Sequence, residues 1–201
     1  MRPAPANWSF RENISPTALS VTLDGKYTGI GTRNGLVFLN SRGRLLWFNK
    51  KIRRINDVSV STRSGKIAVG SSQKVLYLVN LKGESLWHRE LESSVLATSI
   101  NSRGNLIAAG TDEGKLMLYD GKGKKLWEVH LSNSDFSVNS VDITSDGEFI
   151  VAGTDYSHLY LYDVKGNVLW SKETGSEVLK TCISANGDYL GYLTIDRKFS
   201  F

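Results

Sequence analysis

The chain has 201 residues, a formal net charge of +5 and 40% hydrophobic residues, which describes a soluble globular protein long enough to bury its own core. Its single cysteine, Cys182, excludes an intrachain disulfide and a four-cysteine zinc site. No run approaches the roughly 18 apolar residues of a membrane span, and residues 1–10 lack the apolar centre of a secretory signal, so a cytoplasmic protein without membrane insertion is expected.

In chain order, Asn7-Trp8-Ser9-Phe10 reads as a lone strand within residues 1–13. Four full repeats follow at about 17–52, 55–92, 95–132 and 138–174, and residues 177–201 form a partial fifth. Tryptophan sets the period: Trp8, Trp47, Trp87, Trp127 and Trp170 are spaced by 39, 40, 40 and 43 residues. Gly43, Gly83, Gly123 and Gly166 keep the same step, as do Gly31, Gly70, Gly110 and Gly153. Within the third repeat, short aliphatic and aromatic runs at 97–101, 106–111, 116–120 and 125–131 are bounded by Gly, Asn, Asp or Ser, which is the signature of strands joined by tight turns. No stretch shows helical periodicity, so the fold class is all-β. A four-stranded antiparallel unit repeated about every forty residues is a β-propeller blade, buried on both faces by its neighbours. The tryptophans are then structural anchors on the outermost strands. Pairing the strand in 1–13 with the three C-terminal strands would complete a fifth blade and close the ring; the alternative is a portion of a larger ring.

The segments Tyr162-Asp163-Val164-Lys165-Gly166-Asn167-Val168-Leu169-Trp170 and Tyr119-Asp120-Gly121-Lys122-Gly123-Lys124-Lys125-Leu126-Trp127 resemble the tryptophan-docking repeat of pyrroloquinoline-quinone-like propellers. The Ser145-Asp146-Gly147 turn is also similar to that of WD-repeat proteins, although the Gly-His pair and terminal Trp-Asp of that pattern are missing. The resemblance implies a fold and leaves activity open, because such propellers serve many functions.

Signs of chemistry are sparse. Asp142 aligns with Ser20, Ser59, Ser99 and Cys182 on the first strands, and Asp57 is the other inner carboxylate, so both read as hydrogen-bonded structural groups ahead of general bases. His88, His130 and His158 lie in different repeats without metal-ligand spacing, and Cys182 reads as an inert buried thiol. Gly29 to Gly35 has no following helix to make a phosphate site. Of the quinone enzymes only the docking repeat is matched, so no catalytic residue, metal or cofactor is assigned.

Charge points to partners instead. Turns joining first to second and third to fourth strands form a basic face that includes Arg42, Arg44, Lys122, Lys124 and Lys125. On the opposite face Arg33, Lys50, Lys51, Arg53, Arg54 and Lys74 gather on the first two blades, while Glu90, Glu92, Asp112, Glu113 and Asp135 gather on the next ones. The connection 132–137 is three residues longer than its counterpart and carries Phe136. The expected function is a non-enzymatic scaffold in a larger complex, binding protein partners through Lys51, Arg53, Arg54 and Phe136. A basic propeller contacting nucleic acid and a small-ligand or sugar-binding propeller are the alternatives.

Overall fold

The computed structural model describes residues 14–131 and 136–196 together with the backbone of 199–200. The expected N-terminal strand with Trp8, and Asp135 in the long connection, lie outside the described residues. All regular structure is β. The first sheet contains β1 (Pro16–Val21), β2 (Tyr27–Thr32), β3 (Leu36–Asn40) and β4 (Leu45–Asn49), and the second β5 (Ile55–Val60), β6 (Ile67–Ser71), β7 (Val75–Val79) and β8 (Ser85–Glu90). The third holds β9 (Val95–Ile100), β10 (Leu106–Thr111), β11 (Lys115–Asp120) and β12 (Lys125–His130). The fourth holds β13 (Val138–Ile143), β14 (Phe149–Thr154), β15 (His158–Asp163) and β16 (Val168–Glu173). A three-stranded fifth sheet contains β17 (Val178–Ile183), β18 (Leu190–Thr194) and β19 (Phe199–Ser200). Every pairing is antiparallel between neighbours in sequence, so each sheet is a meander with its first strand innermost.

Blade packing follows from side-chain size at one position of the second strand. Gly31, Gly70 and Gly110 face the innermost strand of the next blade, and a Cβ there would meet Ile55, Val95 and Val138 at 2.5, 2.7 and 2.5 Å. Gly153 stands in the same way against Val178. None of the four has a positive φ, so glycine is required by the close approach alone. Between the sheets lie clusters such as Leu36, Phe38, Val58, Val60 and Ile67, which explains the apolar runs without alternation. Gly110→Val is therefore expected to lower stability by about 1–3 kcal/mol through overpacking, read as a fall in the urea midpoint; an unchanged midpoint would contradict this packing.

The same rule stops at the fifth blade, where Leu193 pairs with Lys180 at the register that Gly153 holds opposite Ser140. β1 packs on β5, β5 on β9, β9 on β13 and β13 on β17, whereas β17 and β1 are not packed on each other in this way. Leu19 and Val21 on β1 are 66% and 52% exposed, although their counterparts Val58 and Val60 are 4% and 7% exposed. The closure expected between the fifth and first blades is thus not made by the described residues. At the position where the other four blades place a glycine against the next blade, the fifth has Leu193.

Candidate interaction face

The anchors come first because they hold the faces in place. Trp47, Trp87 and Trp127 each dock on the following blade, with the indole ring against Gly83, Gly123 and Gly166 respectively. The indole N–H groups donate to Leu81 O at 2.7 Å, Gly121 O at 3.2 Å and Val164 O at 2.9 Å. These turn glycines have φ between +80° and +87°, a left-handed conformation that favours glycine, and a Cβ there would lie 2.8–3.0 Å from the ring. Trp170 is different: it is 38% exposed, and among the described residues no turn of the fifth blade lies beneath it.

At the centre, innermost strands are latched by polar side chains that accept backbone N–H groups from the next blade. Ser20 Oγ accepts from Val60 N at 3.0 Å and Ser59 Oγ from Ile100 N at 3.2 Å. Asp142 continues the series, taking Ile183 N at 2.9 Å on one oxygen and Ser99 Oγ at 2.9 Å on the other. Asp57 accepts from Thr98 N at 2.7 Å, the role Ser140 plays for Thr181 N. Burial pushes both carboxyls above the ordinary range, opposed for Asp57 first by the Lys180 charge and for Asp142 first by the Ile183 N–H. Both carboxylates are thereby committed to holding blades together. Cys182 occupies the same latch position in the fifth blade and is exposed, not buried as its apolar strand suggested, because among the described residues no following blade covers it. The inner strands surround a cavity of about 230 Å³ lined in part by Ser20, Ser59, Ser99 and Asp142.

On the face formed by the inter-blade loops and the second-to-third hairpins, the first two blades carry Arg33, Lys50, Lys51, Arg53 and Arg54, all exposed. Their loop is held by its backbone. Buried Ile52 plugs it into the core, Arg54 N donates to Arg33 O at 2.9 Å, Ser72 N to Arg54 O at 2.9 Å, and Ser71 Oγ to Arg53 O at 2.8 Å. Arg33 and Arg54 line one groove of about 560 Å³ with Thr17, Asn34, Asn56 and Ser72. Lys50 and Arg53 line a second of about 340 Å³ with Ile14, Asn34 and Phe48. Lys51 lines a separate groove of about 520 Å³ with Trp47, Tyr77 and His88. Among the described residues none of these five cations has a carboxylate partner, the ion pairs being Lys26 with Asp24, Lys115 with Glu92 and Lys125 with Glu128.

Blades three and four carry the opposite sign. Glu92 is engaged internally by Lys115, and Lys74 Nζ donates to its backbone oxygen at 2.8 Å. Asp112 and Glu113 stay exposed on the third blade's hairpin, at the repeat position of Arg33 and Asn34 in the first. Phe136 corrects the expectation of an exposed anchor, being 7% exposed and stacked on Tyr156 with ring centroids 4.8 Å apart. The apolar ring of Phe136 is covered by that stack; Tyr156, at 61%, is what solvent meets. Tyr156 stacks in turn on His158 at 5.7 Å, His158 on Tyr160 at 5.9 Å, and Tyr160 Oη donates to Leu131 O. Sequence reasoning passed over Tyr156, although one signal was present: Ser157, φ +58°, replaces the glycine that Gly114 supplies in the third blade.

The opposite, basic turn face is built by side-chain caps. Asn40 Oδ1 accepts Arg42 N and Arg44 N, and Asp120 Oδ1 accepts Lys122 N and Lys124 N, leaving two cationic side chains exposed on the first blade and two on the third. Lys125 turns to Glu128. The histidines are engaged locally: His130 Nε2 with Glu113 O, His158 Nδ1 with Tyr156 O, and His88 against the Tyr77 ring. Among the described residues no group of three His, Cys, Asp or Glu side chains is placed to hold a metal.

An array of four-stranded blades whose outer-strand tryptophans dock on the next blade's turn glycine defines a β-propeller of the tryptophan-docking class. The family model described as outer membrane protein assembly factor BamB, a PQQ-repeat propeller, matches residues 32–198, and the chain belongs to that family. No curated protein matches the chain.

Proposed function

We propose that the protein is a non-enzymatic interaction scaffold, a subunit of a larger assembly, that binds an acidic surface of a protein partner through its inter-blade face. The observation carrying this reading is the set of exposed cations Arg33, Lys50, Lys51, Arg53 and Arg54, without carboxylate partners among the described residues, on a loop pinned by backbone hydrogen bonds. A backbone-pinned loop needs no reordering of its main chain on binding, and its unpaired charges steer an oppositely charged partner. The family description, which names an assembly factor, supports a role within a complex. The commitment of Asp57 and Asp142 to inter-blade latches supports a scaffold over a catalyst. Affinity capture from native extract should recover a partner with the wild type, less of it as salt rises, and lose it with R53E/R54E. Equal recovery by R53E/R54E would overturn the proposal.

A further inference from the structure

The inter-blade face carries both charge signs at equivalent positions of one repeat. The second-to-third hairpin of the first blade presents Arg33, the same hairpin of the third presents Asp112 with Glu113, and that of the fourth presents Tyr156, its half-buried Asp155 accepting from Ser137 N. Because blades repeat, these hairpins project from the same edge of each sheet. A two-fold axis lying in such a face, between a basic and an acidic sector, brings the basic sector of one copy over the acidic sector of the other, twice.

We propose that the occupant of this face is a second copy of the chain. Arg33 and Arg54 of one molecule meet Asp112 and Glu113 of the other, and the exposed Tyr156, held by Phe136 and His158, is a further contact of the acidic sector. Charge complementarity selects this occupant: Arg33 and Arg54 on one side and Asp112 and Glu113 on the other form no ion pair within the chain among the described residues. The inference rests on reading the inter-blade face as the interaction surface, and a heterologous acidic partner would compete with the second copy for Arg33 and Arg54.

Sedimentation velocity of the wild-type chain, R33E/R54E, D112K/E113K, Y156A and an equimolar mixture of the two charge-reversed variants tests it. The wild type should form a dimer that weakens at least tenfold between about 50 mM and about 500 mM salt. Each charge-reversed variant alone should be monomeric, and their mixture should form a heterodimer, because one contact is then made by the unaltered sectors and in the other the reversed charges meet with opposite sign. Y156A should weaken the dimer several-fold. Circular dichroism checks that each variant is folded. A wild type monomeric throughout, dimers unaffected by charge reversal, or a mixture that stays monomeric would each overturn the proposal. If the wild type is monomeric while R53E/R54E still loses a captured partner, the scaffold reading stands and the self-association fails. Loss of both would sink the two together.

Discussion

Replacing Trp87 by alanine is expected to lower the free energy of unfolding by about 3–5 kcal/mol, the range for a large aromatic lost from a core. Trp87 is 9% exposed, lies against the turn at Gly123, donates its indole N–H to Gly121 O and carries the Arg89 guanidinium 5.6 Å above its ring. Alanine deletes that packing, leaves the Gly121 carbonyl without its donor and opens the outer seam between two blades. Trp170→Ala provides the internal control. With its ring 38% exposed and no fifth-blade turn under it among the described residues, its loss should cost about 1 kcal/mol or less. Urea unfolding monitored by circular dichroism compares the two. Equal losses would mean that docking on the next blade's glycine contributes nothing at Trp87.

The contrast between these tryptophans also shows how far the sequence could be read. Spacing alone reveals the period, because each blade must place one bulky ring over one glycine, and the same spacing locates Gly110 and Gly153 as points of close approach. Asp142 was legible as a structural group by its alignment with Ser20, Ser59 and Ser99, since all four are inner-strand acceptors or their partners. Two outcomes depended on three-dimensional neighbours that a one-dimensional repeat does not contain. Cys182 sits in an apolar strand yet is exposed, because burial in a blade is conferred by the next blade and, among the described residues, the fifth has none packed on its far side. Phe136 looked like a projecting side chain in a long connection, and only the stack with Tyr156, twenty residues on, hides it. Of the candidate face, the cation cluster was readable from charge; the pinning of its backbone was not, because it comes from Arg54 N to Arg33 O and Ser72 N to Arg54 O, contacts of the inter-blade loop with two hairpins.

Asp142 makes the other large prediction, and it has two parts. Asp142→Ala removes the acceptor of the Ile183 and Ile143 N–H groups and of the Ser99 hydroxyl in one step. Stranding buried donors costs about 1–3 kcal/mol each when no water replaces the acceptor, so a total loss of about 3 kcal/mol is expected. Asp142→Asn removes the titrating proton; it also turns one accepting oxygen into an N–H donor, but that change does not vary with pH. Burial raises the folded-state pKa of Asp142 above its ordinary value of 3.8, so the folded protein holds this proton more tightly than the unfolded chain does. Stability from the group is then fully present below the ordinary value and is lost as pH rises through the raised folded one. Exposed turn carboxylates run the other way: backbone N–H groups hold Asp120 and Asp146 below the usual range, so their contribution is present at neutral pH and fades on acidification. The wild-type curve mixes these opposing slopes. The stability of Asp142→Asn minus that of the wild type isolates one of them, with Lys180 and Asp57, the other inner-strand charges, unchanged in both. That difference should grow as pH rises from the ordinary carboxylate range through the raised value, then level off. Unfolding free energies at half-unit pH steps give it directly, and a difference that is flat or falls with pH would mean that burial does not hold Asp142 toward its protonated form.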